Sequence, residues 1–169
     1  KASKKKYYPA KKSKDGSWSA SASISDFGTS GTYKVLVYVK GANGKYRKLK
    51  ESVKIQVADI TGGETKVKKK SASTSYFYVS DIEYKGVVSS VEVTVWPKAN
   101  KKAKYTYKAS KRWNGEYRAL LDITNHRGLH GAYGYKVTVT AKNGIEKELL
   151  RGEFQLGDAD AQETELYAI

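Results

Sequence analysis

The chain has 169 residues, 39% apolar, 29% charged and 12% aromatic, with 14 Tyr and no Cys. That composition is globular and sufficient for one or two domains, and it excludes disulfides, thiol catalysis and thiolate metal sites. The formal net charge of +15 creates a field that draws polyanions, whether nucleic acid, anionic lipid surfaces or phosphate-rich wall polymers.

The charge is unevenly placed: residues 1–58 hold 14 basic and 3 acidic groups, and residues 59–169 hold 18 and 14. From the N-terminus, KASKKK is a basic lead-in, Tyr7–Ala10 begins a short strand, and KKSKDGS is a turn. Trp18, Ala20, Ala22 and Ile24 alternate with serines, which predicts a half-buried strand. The glycine-bounded loop DFGTSG follows, then YKVLVYVK, whose Tyr33, Val35, Val37 and Val39 are expected to face inward. Asn43–Gly44 marks a tight hairpin turn back through Tyr46–Val57.

Residues 59–75, rich in Lys, Gly and Ser, read as a linker. Strands are then expected at 76–82, 87–96, 103–109, 116–124, 133–141, 145–150 and 152–156. Turn signals every few residues between short alternating runs are the pattern of a β-sandwich. No stretch has helical periodicity or the length of an apolar membrane span, and no signal peptide is visible at Lys1. The tail, residues 158–169, resembles the start of a further strand.

The chain repeats itself. At an offset of 99, Tyr8, Ala10, Gly16, Trp18, Ala20 and Ile24 fall on Tyr107, Ala109, Gly115, Tyr117, Ala119 and Ile123. At an offset of 100, Gly31, Tyr33, Val37, Val39, Asn43 and Gly44 fall on Gly131, Tyr133, Val137, Val139, Asn143 and Gly144. Small residues at turns and apolar residues at alternate positions are retained, so a fold is repeated rather than an active site. The expectation is all-β: tandem immunoglobulin-like sandwich modules, a partial one at 1–58 lacking its N-terminal strands and a complete one at 76–157.

The candidate chemistry is that of binding. His126 and His130 are four apart in a glycine-containing loop; that spacing does not bring both rings to one face, and no third metal ligand is indicated. No nucleophile elbow, paired-carboxylate motif or phosphate loop is present, so neither a catalytic role nor a cofactor is expected. Lysine clusters carry the strongest signal. Lys66, Lys68, Lys69, Lys70, Lys101, Lys102, Lys104 and Arg112, with Trp113 at a predicted turn, are the candidate binding residues. Lysine in excess of arginine suits diffuse attraction more than base readout, so no specific nucleic acid is expected. Tyrosine and tryptophan rings add stacking surfaces for sugars.

VEVTVW at 91–96, KYTYKAS and NGEY within 104–117, His126, GAY at 131–133 and NG at 143–144 occur in that order, and DGSW, DFG, SGTYKV and NG follow the same order in the first copy. In these residues the chain resembles the GBS Bsp-like repeat, a module of secreted and wall-associated proteins of streptococci and lactobacilli. The first copy departs from it in lacking the front strands and in having Phe27 at the His126 position. The resemblance implies a non-catalytic, secreted or cell-surface module of a Gram-positive bacterium. Its expected partners are anionic wall polymers, teichoic acid and peptidoglycan, or host glycans. An alternative is a structural subunit of a surface filament that self-associates by strand complementation, with Tyr7, Tyr8, Leu166, Tyr167 and Ile169 as the assembly residues.

Overall fold

A computed structural model describes residues 5–157 and 164–166, all of them strand, turn or short 3-10 segments. In chain order the strands are β1 (Lys11–Lys12), β2 (Trp18–Ser19), β3 (Gly31–Lys40), β4 (Tyr46–Val57), β5 (Thr61–Lys69), β6 (Thr74–Glu83), β7 (Val88–Pro97), β8 (Tyr105–Lys111), β9 (Tyr117–Asp122), β10 (Gly131–Ala141), β11 (Glu146–Leu156) and β12 (Thr164–Leu166). The all-β expectation holds. Two compact units form: residues 1–29 join 60–169, and Ser30–Asp59 stands as its own unit. The expected single partial module at 1–58 is therefore divided between them.

In the larger unit eight strands make one sheet in the order β11-β10-β7-β8-β9-β6-β5-β12. The sheet folds across β8, whose first part pairs with β7 through Tyr105–Ala109 while Ser110 and Lys111 pair with β9. The two halves thus face each other. Val91, Val93, Val95, Tyr135, Val137 and Val139 from one half and Phe77, Val79, Ala119 and Leu121 from the other are buried. Phe77 meets Tyr135 at 4.9 Å and Phe154 at 5.9 Å between ring centroids, both nearly edge-on, the geometry that ring quadrupoles favour.

Three expectations need correction here. Residues 61–69 are not linker but strand β5, paired with β6 from Thr61↔Glu83 to Lys69↔Ser75. Thr65 and Val67 point into the core and Lys66 and Lys68 point away, so a single apolar residue suffices where the ladder supplies the hydrogen bonds. The expected break between 150 and 152 is absent, because β11 runs through it; Gly152 is required where the Tyr135 ring lies, since a Cβ there would come within 2.7 Å of its hydroxyl. The predicted strand Trp18–Ile24 shrinks to Trp18–Ser19, and Ile24–Asp26 is a 3-10 turn capped by Ser23.

His126 is fully buried. Its Nδ1 lies 2.8 Å from the Ala103 carbonyl and its Nε2 2.9 Å from the Tyr107 hydroxyl, so Nδ1–H donates to the carbonyl and Nε2 accepts in the neutral ring. Asp122 caps the same 3-10 turn, Ile123–His126, by accepting from the Thr124 amide at 2.9 Å. His130 sits elsewhere, with Nδ1 against the Gly157 carbonyl; the two rings do not converge.

The smaller unit is a hairpin of β3 and β4 alone. Its pairing copies that of β10 and β11: Tyr33↔Ile55 matches Tyr133↔Phe154, Leu36↔Ser52 matches Lys136↔Arg151, and Val39↔Arg47 matches Val139↔Lys147, with a register shift near the same place that is one residue larger in β3–β4. The repeat read from the sequence is therefore a repeat of strand register. Val35, Val37 and Val39, expected to be inward, are exposed by 40–47% in this two-stranded sheet.

Phe77→Ala should remove about 3–5 kcal/mol of stability, measured by chemical denaturation; a loss below about 1 kcal/mol would contradict its central place. Burial holds the His126 imidazole below its usual pKa. The folded chain then binds fewer protons than the unfolded chain as pH falls through the ordinary histidine value, so stability should decline on acidification from neutral to about pH 5. His126→Phe should flatten that decline, read from midpoints of thermal unfolding against pH.

Candidate functional site

Cross-strand register builds one outward face on β5, β6 and β9. Lys66 stands opposite Tyr78, which stands opposite Arg118; in the next row Lys68 stands opposite Tyr76 and Tyr76 opposite Leu120. Residues paired in this way share a face, and their neighbours Val67, Phe77 and Ala119 are the buried ones. The alternation that fills the core thus sets a cation and ring array on the outside.

The array is in contact with itself. The Arg118 guanidinium carbon lies 4.5 Å from the Tyr76 ring centroid, Lys70 Nζ lies 5.3 Å from the same ring, and the Arg112 guanidinium carbon lies 5.8 Å from the Tyr78 ring. Tyr76 and Tyr78 are 6.1 Å apart. Each cation over a ring face at these distances is attracted by about 0.5–1 kcal/mol at an exposed site, which favours a shared orientation without neutralising charge. A carboxylate borders the array: Glu116 is 3.6 Å from Arg112.

The opposite outer face, on β7, β10 and β11, differs. There Lys98 Nζ is 2.6 Å from Glu153, and Arg151 makes a two-pronged pair with Glu148 at 2.7 and 3.0 Å. The Glu148 carboxyl is held below its usual range by that arginine. Trp96 packs flat over Gly134, where a Cβ would come within 2.6 Å of the indole, and Arg151 lies 5.6 Å from its ring.

The predicted binding residues separate into three places. Lys66, Lys68, Lys70 and Arg112 belong to the array, and Lys69 ends β5 beside them. Trp113 is 93% exposed on the tight β8–β9 turn, closed by Arg112 N to the Glu116 carbonyl at 2.7 Å. Lys101, Lys102 and Lys104 lie in the β7–β8 turn, at the end where the Ala103 carbonyl meets His126. Of the assembly residues, Tyr7 is exposed and Tyr8 donates to Asp26 at 2.6 Å, a bond that pushes its pKa up to about 12. Leu166 is in β12, paired with Thr65 of the same chain; Tyr167 and Ile169 lie outside the described residues. Arg118, central to the array, was not anticipated. Reading 61–69 as a strand would have found it, because the alternation then runs Lys66, Tyr78, Arg118 across three strands.

A shallow groove of about 650 Å3 opens beside the array, lined by Asp81, Tyr84, Lys111, Asn114 and Glu116 among others. Asp81 has a left-handed backbone, φ 53°, and its carbonyl faces Gly62, φ 70°, where a Cβ would come within 2.5 Å. Gly62→Ala should cost about 1–3 kcal/mol through strain at both residues. Unchanged urea unfolding of that variant would show that the close approach of Gly62 to the Asp81 carbonyl is not constrained as described.

Among the described residues no group of three His, Asp or Glu side chains gathers as metal ligands, and no helix is long and apolar enough to cross a membrane. Polysaccharide deacetylase structures from Bacillus cereus and, as a candidate enzyme of that kind, from Bacillus anthracis each align at 14% identity and a TM-score of 0.46, over 55% of this chain and 29% of theirs. The aligned region is thus under a third of those proteins. No curated protein matches the chain. Residues 64–154, more than half of the sequence, match the GBS Bsp-like repeat, beginning within β5 and ending within β11. The chain belongs to the GBS Bsp-like repeat family.

Proposed function

We propose that the chain is a non-catalytic cell-surface binding module of a Gram-positive bacterium, attracted to anionic wall polymers through the outward face of β5, β6 and β9. Membership of the repeat family supports a surface-associated repeat module. The observation that carries the binding reading is the array itself: Lys70, Arg112 and Arg118 over the rings of Tyr76 and Tyr78, with Lys66 and Lys68 in the same two rows. A polymer of sugars and phosphates offers the two features such a face accepts, negative charge for the cations and apolar ring faces for the tyrosines. The high overall positive charge adds long-range attraction that salt screens. The exposed Trp113 ring, next in sequence to Arg112, adds to this surface, and the lysines of the β7–β8 turn add to the overall charge.

Binding to purified Gram-positive walls should fall steeply as salt shortens the Debye length from ~10 Å at 0.1 M to ~3 Å at 1 M. Removing teichoic acid from the walls should weaken it similarly. The combined Tyr76→Ala, Tyr78→Ala and Arg118→Ala variant should lose about tenfold or more in affinity while unfolding at nearly the same denaturant concentration, since these side chains face solvent. Equal binding to intact and stripped walls, in a co-sedimentation assay, would contradict the charge mechanism.

A further inference from the structure

A second surface of different chemistry lies beside the array. The groove of about 650 Å3 is of the size that takes a small ligand. It lies between the end of β6 with the turn that follows, residues 80–88, and the β8–β9 turn, residues 111–117. Tyr117 is the inward residue that reaches it. Its neighbours in the β9 alternation, Ala119 and Leu121, are core, and Tyr117 itself is only 9% exposed. Yet its hydroxyl has no hydrogen-bond partner among the described residues. No fully enclosed side-chain nitrogen or oxygen among them lacks one, so this hydroxyl reaches solvent, and Tyr117 lines the groove. The phenol of an otherwise buried tyrosine normally finds a partner; here the groove is where a partner can stand.

We propose that this groove is a binding site for an uncharged sugar unit. Sugar hydroxyls both donate and accept, and the lining offers both roles: the Tyr117 and Tyr84 hydroxyls and the Asn114 amide donate, and the Asp81 and Glu116 carboxylates accept. The acceptors are held in place. Ser80 Oγ donates to Asp81 Oδ2 at 2.8 Å, and Asn114 Nδ2 donates to Glu116 Oε2 at 2.7 Å, leaving the second amide hydrogen for a ligand. Tyr84 lies against Gly86, where a Cβ would come within 2.5 Å of its ring. With the exposed Val87 it gives an apolar flank for the carbon face of a sugar. Charge sets this ligand apart from that of the array: two carboxylates against Lys111 disfavour phosphate, in a protein whose net charge is +15. The Glu116–Arg112 pair at 3.6 Å joins the two surfaces, so a polymer of phosphate and sugar units can lie on both. That polymer as the source of the sugar rests on the wall-binding reading; the groove's preference for an uncharged sugar does not.

The test titrates the full, isotope-labelled chain separately with chitotetraose, maltotetraose and a short glycerol phosphate oligomer, followed by amide NMR signals at about 0.1 M and about 1 M salt, between which the Debye length falls about threefold. Saturable shifts within residues 80–88 and 111–117 are expected with at least one of the two uncharged tetrasaccharides, with the same midpoint at both salt concentrations. Tyr117→Phe, which removes only the hydroxyl, should weaken that sugar about threefold or more without lowering the midpoint of urea unfolding. Asn114→Ala, in an exposed turn, should weaken it as well. Silence of the groove toward both tetrasaccharides, shifts confined to the Tyr76, Tyr78 and Arg118 face, or equal binding by the Tyr117→Phe chain would overturn the proposal. So would groove shifts with the glycerol phosphate oligomer alone. That oligomer tests the array independently: its salt-sensitive shifts are expected at Tyr76, Tyr78 and Arg118, and their absence would contradict the wall-polymer reading while the tetrasaccharide result still decides the groove.

Discussion

The contact of Phe77 with Tyr135 and Phe154 across the gap between the two halves of the sheet is the constraint on which the rest of the larger unit depends. β6 supplies Phe77, and β10 and β11 supply its partners. A β-strand can turn apolar side chains to one side only if another layer removes that side from water, at roughly 25 cal/mol for each Å2 covered. Once β6 is placed over β10, its alternate residues Tyr76 and Tyr78 are forced outward, and β5 and β9, paired to either side of it, add Lys66, Lys68 and Arg118 in register. The array proposed to bind wall polymer is thus the other side of the same alternation that makes the core.

Comparison of the two copies separates what the strand pair contributes from what its surroundings contribute. Local features are held in common: β1 pairs with β2 as Ser110 and Lys111 pair with Arg118 and Tyr117, and glycines at 16, 28, 31 and 44 keep positive φ like those at 115, 128, 131 and 144. Burial is not held in common. Tyr117 is buried, and Trp18 at the matching position is 66% exposed. Turn chemistry and register therefore follow from local sequence, and the buried state follows only from the opposing layer.

Much of this was legible in the sequence. The alternating runs around Val91–Val95 and Tyr133–Val139 marked inward faces, and the asparagine–glycine pairs marked hairpins that form where expected. β5 was obscured because its inward side is Thr65 and Val67 between lysines, a pattern that reads as solvated until the ladder to β6 is known. An internal signal for it existed: Glu64, Thr65 and Val67 recur at an offset of 99 as Glu163, Thr164 and Leu166, and residues 164–166 are also a strand. His126 was legible as a loop residue outside a metal site but not as a fully buried one, since its partners, the Ala103 carbonyl and the Tyr107 hydroxyl, lie far from it in sequence. The exposure of Val35, Val37 and Val39 could not be read locally, because periodicity shows which residues need cover and not whether cover is present.

The central claim is that an opposing layer, and not the strand pair itself, stabilises this repeat. Native-state hydrogen exchange resolved by residue tests it most directly, since β3–β4 and β10–β11 have matching pairings on both sides of their register shifts in one molecule. The account predicts that amides of β10 and β11 exchange only through global unfolding and that those of β3 and β4 exchange faster by about two orders of magnitude or more. Equal protection of the two hairpins would contradict it.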